Sequence, residues 1–70
     1  MDNSISNRLK TLRKNKNLSQ AGLGIALGIS RSQISNWELG RRQLTIEDAI
    51  RIAKYFNISL DEFVGNEDEK

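Results

Sequence analysis

The chain has 70 residues, with 11 lysines and arginines, 9 aspartates and glutamates, and neither histidine nor cysteine. This length limits it to one small domain without room for a large active-site cleft. The absence of cysteine and histidine excludes disulfides, the usual zinc ligands and the common nucleophile systems of hydrolases. We therefore expect no enzyme activity, no metal or other cofactor and no small-molecule ligand.

Charge is divided unevenly along the chain. Residues 1–42 carry 8 basic and 2 acidic side chains, whereas residues 43–70 carry 3 basic and 7 acidic ones. A basic first half is typical of a surface that binds a polyanion, above all nucleic acid. Alternatively, these basic residues simply form the solvent-exposed faces of helices.

No apolar run approaches the roughly 18 residues that a membrane-spanning helix needs. The first ten residues also lack the apolar stretch of a signal peptide. We expect a cytoplasmic protein that makes no contact with a membrane.

The first two predicted helices follow from apolar spacing and capping residues. Residues near 4–15 form an amphipathic helix, because apolar side chains recur at steps of four and three: Ile5, Leu9 and Leu12. Ser19 is a good N-cap for a second helix, which ends at Gly28, a natural left-handed position. Its apolar face is expected to carry Leu23, Ala26 and Leu27.

Three more helices are predicted further along. Ser30 and Gln33 have the spacing of a capping box, which opens a third helix that ends at Gly40. Thr45 opens a fourth helix, with an apolar side made of Ile46, Ala49, Ile50, Ala53 and Phe56. A second capping box, from Ser59 to Glu62, begins a short fifth helix. We expect an all-α domain over residues 1–64 and an acidic, flexible tail over residues 65–70.

The segment "SQAGLGIALGISRS" has three closely spaced glycines, which raises the alternative of a phosphate-binding loop. A dinucleotide fingerprint needs a third glycine where Leu27 stands and a strand before the segment, and neither is present. A helix, a tight turn and a second helix fit better, because crossing helices need a small residue where they approach. Gly24 is predicted at that contact and Gly28 in the turn.

These features together resemble the phage-repressor-like helix-turn-helix family, the Cro/cI or XRE type of DNA-binding domain. The resemblance rests on "LSQ", "GIS", Ile34 with Trp37-Glu38, Gly40 and the closing "IAKYFNISLDEF". It covers residues of about 5–64, with the helix-turn-helix at about 19–38. The chain departs from the family's common pattern at Gly22, Gly24 and Ile25. The resemblance implies a five-helix, lambda-repressor-like domain that places its third helix in the major groove of DNA.

The third helix supplies the candidate base-reading residues. With Ile34 and Trp37 buried, a rotation of about 100° per residue directs four polar side chains away from the core. They are Arg31, Ser32, Ser35 and Asn36. The DNA backbone is expected to meet Gln20, Ser30, Arg41 and Arg42, of which Ser30 also serves as a cap. For Gln20, the resemblance to the family implies a contact with a DNA phosphate.

Three further expectations concern packing. Glu38 is the lone acid within a basic region, and we predict that it pairs with Arg13, whereas Trp37 belongs to the core. Leu60, Phe63 and Val64 are many apolar residues for one short helix, so part of this patch is expected to complete the core and part to form a dimer contact.

The leading hypothesis is a sequence-specific DNA-binding transcriptional regulator, a small homodimeric repressor that binds operator half-sites in double-stranded DNA. One alternative is an antitoxin or a restriction-modification controller, which also binds DNA. Another is a protein-interaction module that retains the fold but not DNA binding, and that uses either Ile25 or the apolar patch of Leu60, Phe63 and Val64.

Overall fold

The computed structural model describes residues 4–65, and this range folds into five α-helices without a strand. In chain order they are α1 (Ile5–Asn15), α2 (Gln20–Leu27), α3 (Arg31–Glu38), α4 (Ile46–Phe56) and α5 (Leu60–Val64). The predicted all-α, five-helix fold is confirmed. Gly65, assigned to the tail from the sequence, instead ends α5 in a left-handed conformation, and residues 66–70 of that tail lie outside the described range.

A hydroxyl side chain begins each helix of the described range. In every case its oxygen accepts a hydrogen bond from the backbone N–H three residues later, and the capping residues are Ser4, Ser19, Ser30, Thr45 and Ser59. At α5 the Glu62 carboxylate also accepts from the Ser59 backbone N–H at 3.2 Å, which completes the capping box. Each such cap contributes about 1 kcal/mol to helix stability.

The turn between α2 and α3 brings backbone into direct contact with backbone. Gly28 has φ of 72°, a conformation that glycine adopts without strain, and the Ile29 N–H donates to the Gly24 carbonyl at 2.8 Å. A Cβ atom added at Gly24 would lie 2.4 Å from the Ile29 carbonyl oxygen. The close approach at Gly24 is therefore made by the turn and the start of α3.

The core lies where all five helices meet. α1 packs against α3 and α5, α2 packs against α3 and α4, and α4 packs against α5. Trp37 is 2% exposed, which confirms its expected place in the core. The other buried apolar residues are Leu9, Leu23, Leu27, Ile34, Ala49, Ile52, Ala53, Phe56 and Phe63. This packing fixes the inward face of α3 and so its outward face.

Three expectations about apolar faces were wrong in detail. Ala26 is exposed, because the buried residues of the short α2 are Leu23, Gly24 and Leu27. Ile46 and Ile50 are 66% and 40% exposed, since the buried stripe of α4 runs through Ala49, Ile52, Ala53 and Phe56.

The expected dimer patch needs correction at Phe63. Phe63 is fully buried within the single chain, so it cannot contact a partner. Leu60 and Val64 are half-buried and pack against the same core. The apolar side of α5 is therefore used mainly to close the domain.

Within residues 4–65, the structure contains no helix with the length and apolar character that crossing a bilayer requires.

We expect Gly24→Val to destabilise the domain by at least about 2 kcal/mol, because the new side chain has to displace turn backbone. Urea unfolding would show a lower midpoint at an unchanged slope. Ala26→Val is the matched control on the exposed side of α2, and its expected loss is below about 1 kcal/mol. Equal losses in the two variants would contradict the close-approach argument.

Candidate nucleic-acid interface

The outer face of α3 carries the four polar residues that the sequence singled out. Arg31 and Ser32 are exposed, and Ser35 and Asn36 are half-buried. Ile34 and Trp37 occupy the opposite, buried face of the same helix. The structure therefore places all four side chains on one surface, at the start and middle of α3.

These side chains match the hydrogen-bonding groups on base edges. A guanidinium such as that of Arg31 bonds guanine O6 and N7 together, and an amide such as that of Asn36 bonds adenine N6 and N7. The hydroxyls of Ser32 and Ser35 both donate and accept, which suits several bases. Ser30 Oγ accepts from the Gln33 N–H at 3.2 Å, so its hydroxyl caps α3 and keeps its own O–H as a donor.

Basic residues flank this surface. Arg41 and Arg42 are exposed directly after α3, where Gly40 turns the chain with φ of 76°. The Arg41 N–H donates to the Asn36 carbonyl at 2.9 Å, which fixes the start of this segment against the end of α3. Lys10 and Lys14 on α1, and Lys16 directly after it, are exposed and add further positive charge.

Arg13 does not join that positive surface, because it is bound inside the protein. Its Nε donates to Glu38 Oε2 at 2.7 Å and its Nη2 to Glu38 Oε1 at 3.0 Å, which forms a two-bond ion pair. The side chains of Arg13 and Glu38 are 10% and 2% exposed. The predicted pairing of α1 with the end of α3 is thus present, and Arg13 Nη1 also donates to the Leu18 carbonyl at 2.8 Å.

Gln20 contacts the same carboxylate, a contact that the sequence analysis missed. Its Nε2 donates to Glu38 Oε1 at 3.0 Å, and its side chain is half-buried at the first position of α2. An amide nitrogen has two N–H donors, so one remains for another acceptor. Glu38 therefore orients the residue that the sequence analysis assigned to the DNA backbone.

The Glu38 carboxylate stays charged because its partners outweigh its burial. Burial by itself would raise the pKa of Glu38, but hydrogen bonds from Arg13 and Gln20, and the nearby charges of Arg13 and Lys10, lower it below the ordinary value. The hydrogen bond to Glu38 raises the pKa of Arg13 despite burial. Both groups are thus ionised at neutral pH.

Arg51 is a second residue that sequence reasoning missed. From α4, its guanidinium donates to the Leu27 carbonyl at the C-terminus of α2, and it lies 3.7 Å from the Asp48 carboxylate. A cation at a helix C-terminus is favourable because the last carbonyls carry partial negative charge. Arg51 therefore holds the end of α2, and no local sequence signal marks a contact across 24 residues.

A groove runs beside Arg42, between the start of α1 and the segment that joins α3 to α4. It is lined by Ile5, Ser6, Gly40, Arg42, Gln43 and Leu44. Across the part of the chain that the structure describes, no group of acidic, histidine or cysteine side chains is arranged to hold a metal ion. The chemistry that this face offers is hydrogen bonding and positive charge.

Comparison with known proteins relates this chain to helix-turn-helix DNA-binding domains. A family model described as helix-turn-helix matches residues 9–63. The chain is also similar to the solution structure of the DNA-binding domain of the P22 C2 repressor, with a TM-score of 0.81 and 26% identity. That match covers 100% of this chain and 95% of the other.

Curated relatives are similar over most of this chain. The HTH-type transcriptional activator BcrR of Enterococcus faecalis is 38% identical over 87% of the chain, which spans 30% of BcrR. For the regulator AnsR of Bacillus subtilis the identity is 36% over 90% of the chain, which spans 54% of AnsR. An HTH-type regulator of Methanocaldococcus jannaschii is 33% identical over 94% of this chain and is covered completely.

We expect Arg13→Met to destabilise the domain by about 3 kcal/mol or more at pH 7, because it leaves the buried Glu38 carboxylate without its main partner. The pH dependence should also change sign. In the wild type the lowered pKa of Glu38 stabilises the fold above the ordinary carboxylate value of about 4.3, and this stabilisation is lost as the pH falls. In the variant, burial raises the pKa of Glu38, so acidification should reduce the deficit.

The measurement is urea unfolding at pH 7 and near pH 4. Lys14→Met, on the exposed side of α1, is the matched control for loss of a cation. A deficit of the Arg13 variant, relative to this control, that is constant with pH would refute the role assigned to the ion pair.

Proposed function

The chain belongs to the phage-repressor-like helix-turn-helix family, and from this premise we propose that it is a sequence-specific DNA-binding transcriptional regulator. The family consists of DNA-binding regulators and not of enzymes, in agreement with the expectation that this chain is not an enzyme. Such a regulator works in the compartment that holds the DNA, so the proposal includes the expected cytoplasmic location.

The observation that carries this proposal is the outward polar face of α3. A major groove about 12 Å wide admits an α-helix, whose diameter with side chains is about 10–12 Å, and the eight residues of α3 extend for about 12 Å along its axis. In the proposed complex, α3 enters the groove with Arg31 and Ser32 foremost. Asn36 and Ser35 then meet base edges further along the helix.

The DNA backbone is contacted at both sides of that helix. Gln20 lies at the start of α2, where free backbone N–H groups and the helix dipole favour a phosphate. Its amide is already held by Glu38, so little side-chain entropy is lost when the second N–H binds phosphate. Arg41 and Arg42 supply charge on the other side, and the Ser30 hydroxyl is a further donor.

The proposal extends to a homodimer that binds two half-sites. Half-sites on one face of the duplex lie about 34 Å apart, and the described domain measures 35 × 24 × 22 Å. Two copies side by side therefore fit this spacing. Occupancy of a site that overlaps a promoter excludes RNA polymerase without any further activity, so we propose repression as the outcome.

Selection of bound sites from random double-stranded DNA tests the proposal directly. A recurrent sequence with two-fold symmetry is expected, and its affinity should fall steeply between low and moderate salt because phosphate contacts release counterions. Weak, salt-insensitive binding without sequence preference would favour the alternative of a protein-interaction module.

Two substitutions separate base reading from backbone contact. We expect Asn36→Ala to weaken binding by about 1–3 kcal/mol and to relax the preference at one base pair of each half-site. Arg41→Ala is the control, because loss of a phosphate contact should weaken all sequences alike and reduce the salt dependence. Affinities for the selected site and its single-base variants give the comparison, and a uniform loss with the Asn36 variant would assign that residue to the backbone.

A further inference from the structure

Two large apolar side chains are exposed side by side on α4. Ile46 and Ile50, which are 66% and 40% exposed, stand one helical turn apart and lie off the buried stripe. The other large exposed apolar residues of the described range, Ile25 and Leu39, lie on α2 and at the end of α3. We call the set of Ile46, Ile50, Glu47 and Lys54 the α4 patch.

The charges beside these isoleucines are ordered along the helix. Glu47 lies in the first turn of α4 and Lys54 in the last turn, and both are exposed. At about 100° per residue, both side chains fall on the same flank of the isoleucine pair. One edge of the α4 patch is therefore acidic at the N-terminal end and basic at the C-terminal end.

We propose that the α4 patch binds the same patch of a second copy of this chain, with the two α4 helices antiparallel. A two-fold axis makes the contact self-complementary, since each isoleucine pair covers the other. The axis also brings the same flanks together in opposite directions, so Glu47 of each copy faces the basic end of the other. A parallel arrangement about a two-fold axis would instead place the two charged flanks on opposite sides of the contact, where Glu47 and Lys54 of different copies cannot pair.

The small size of the α4 patch sets the strength of this dimer. Two isoleucines per copy bury far less than the roughly 1,000 Å² of a stable interface, so association in solution is weak. This inference rests on the proposed DNA binding, which would hold two copies next to each other. Ile46 follows Arg42 by four residues, so the α4 patch begins within about 14 Å of the segment assigned to the DNA backbone.

Removal of the apolar contact is the first test. Sedimentation equilibrium of the wild type at high concentration should show a monomer–dimer equilibrium, and Ile46→Ser with Ile50→Ser should raise its dissociation constant more than about tenfold. Ile46→Ser alone guards against misfolding, because that residue is mostly exposed and its effect should have the same direction. Ile25→Ser is the matched control at 83% exposure, and it should leave the equilibrium unchanged. A wild type that stays monomeric, or equal effects of the control, would overturn the proposal.

Charge reversal is a sharper test of the antiparallel geometry. Glu47→Lys and Lys54→Glu should each weaken self-association, whereas the two together should restore it, and added salt should reduce all three differences. Effects that simply add would exclude the proposed orientation.

Binding to one half-site and to two adjoining half-sites distinguishes the two proposals. The isoleucine variant should bind one half-site as the wild type does and lose cooperative binding to two. Absence of wild-type DNA binding would refute the proposed function, while self-association remains measurable without DNA. Unchanged cooperativity in the isoleucine variant would refute the α4 patch alone.

Discussion

The position of α3 depends on one buried carboxylate. Glu38, at the last position of α3, accepts two hydrogen bonds from Arg13 on α1 and one from Gln20 on α2. Three helices therefore meet at a single ionised group whose burial is tolerated because these donors surround it. A shift of any one of these helices would break at least one of the contacts, so the network favours a single arrangement of the DNA-facing elements.

The elements of the fold could be predicted from the sequence because their signals are local. A hydroxyl residue three positions before a free N–H, and Gly28 or Asn57 in left-handed conformations, mark the helix ends by short-range chemistry. The outward face of α3 also followed, since Ile34 and Trp37 define the inward direction. Helical spacing gives a direction but not a depth, which is why Ile46 and Ile50 were wrongly assigned to the buried side.

The tertiary contacts of the candidate site were only partly predictable. The Arg13–Glu38 pair could be inferred because Glu38 is the single acid among basic residues, which makes a partner necessary. Gln20 is neutral, and a charge such as that of Arg51 is ordinary for a helix surface. The sequence therefore gives no sign that either residue makes a tertiary contact. Both contacts join residues on different helices, 18 and 24 positions apart, so they arise only when those helices pack together.

The choice of capping residues has a consequence for how this domain responds to its surroundings. The caps of the described helices are neutral hydroxyls, which neither titrate near neutral pH nor lose strength through ionic screening. Helix ends held in this way stay formed at ionic strengths that strip a cationic surface from a polyanion. Ionic strength thus controls binding to a polyanion without weakening these helix ends. The domain can therefore dissociate in its folded form and bind again without refolding.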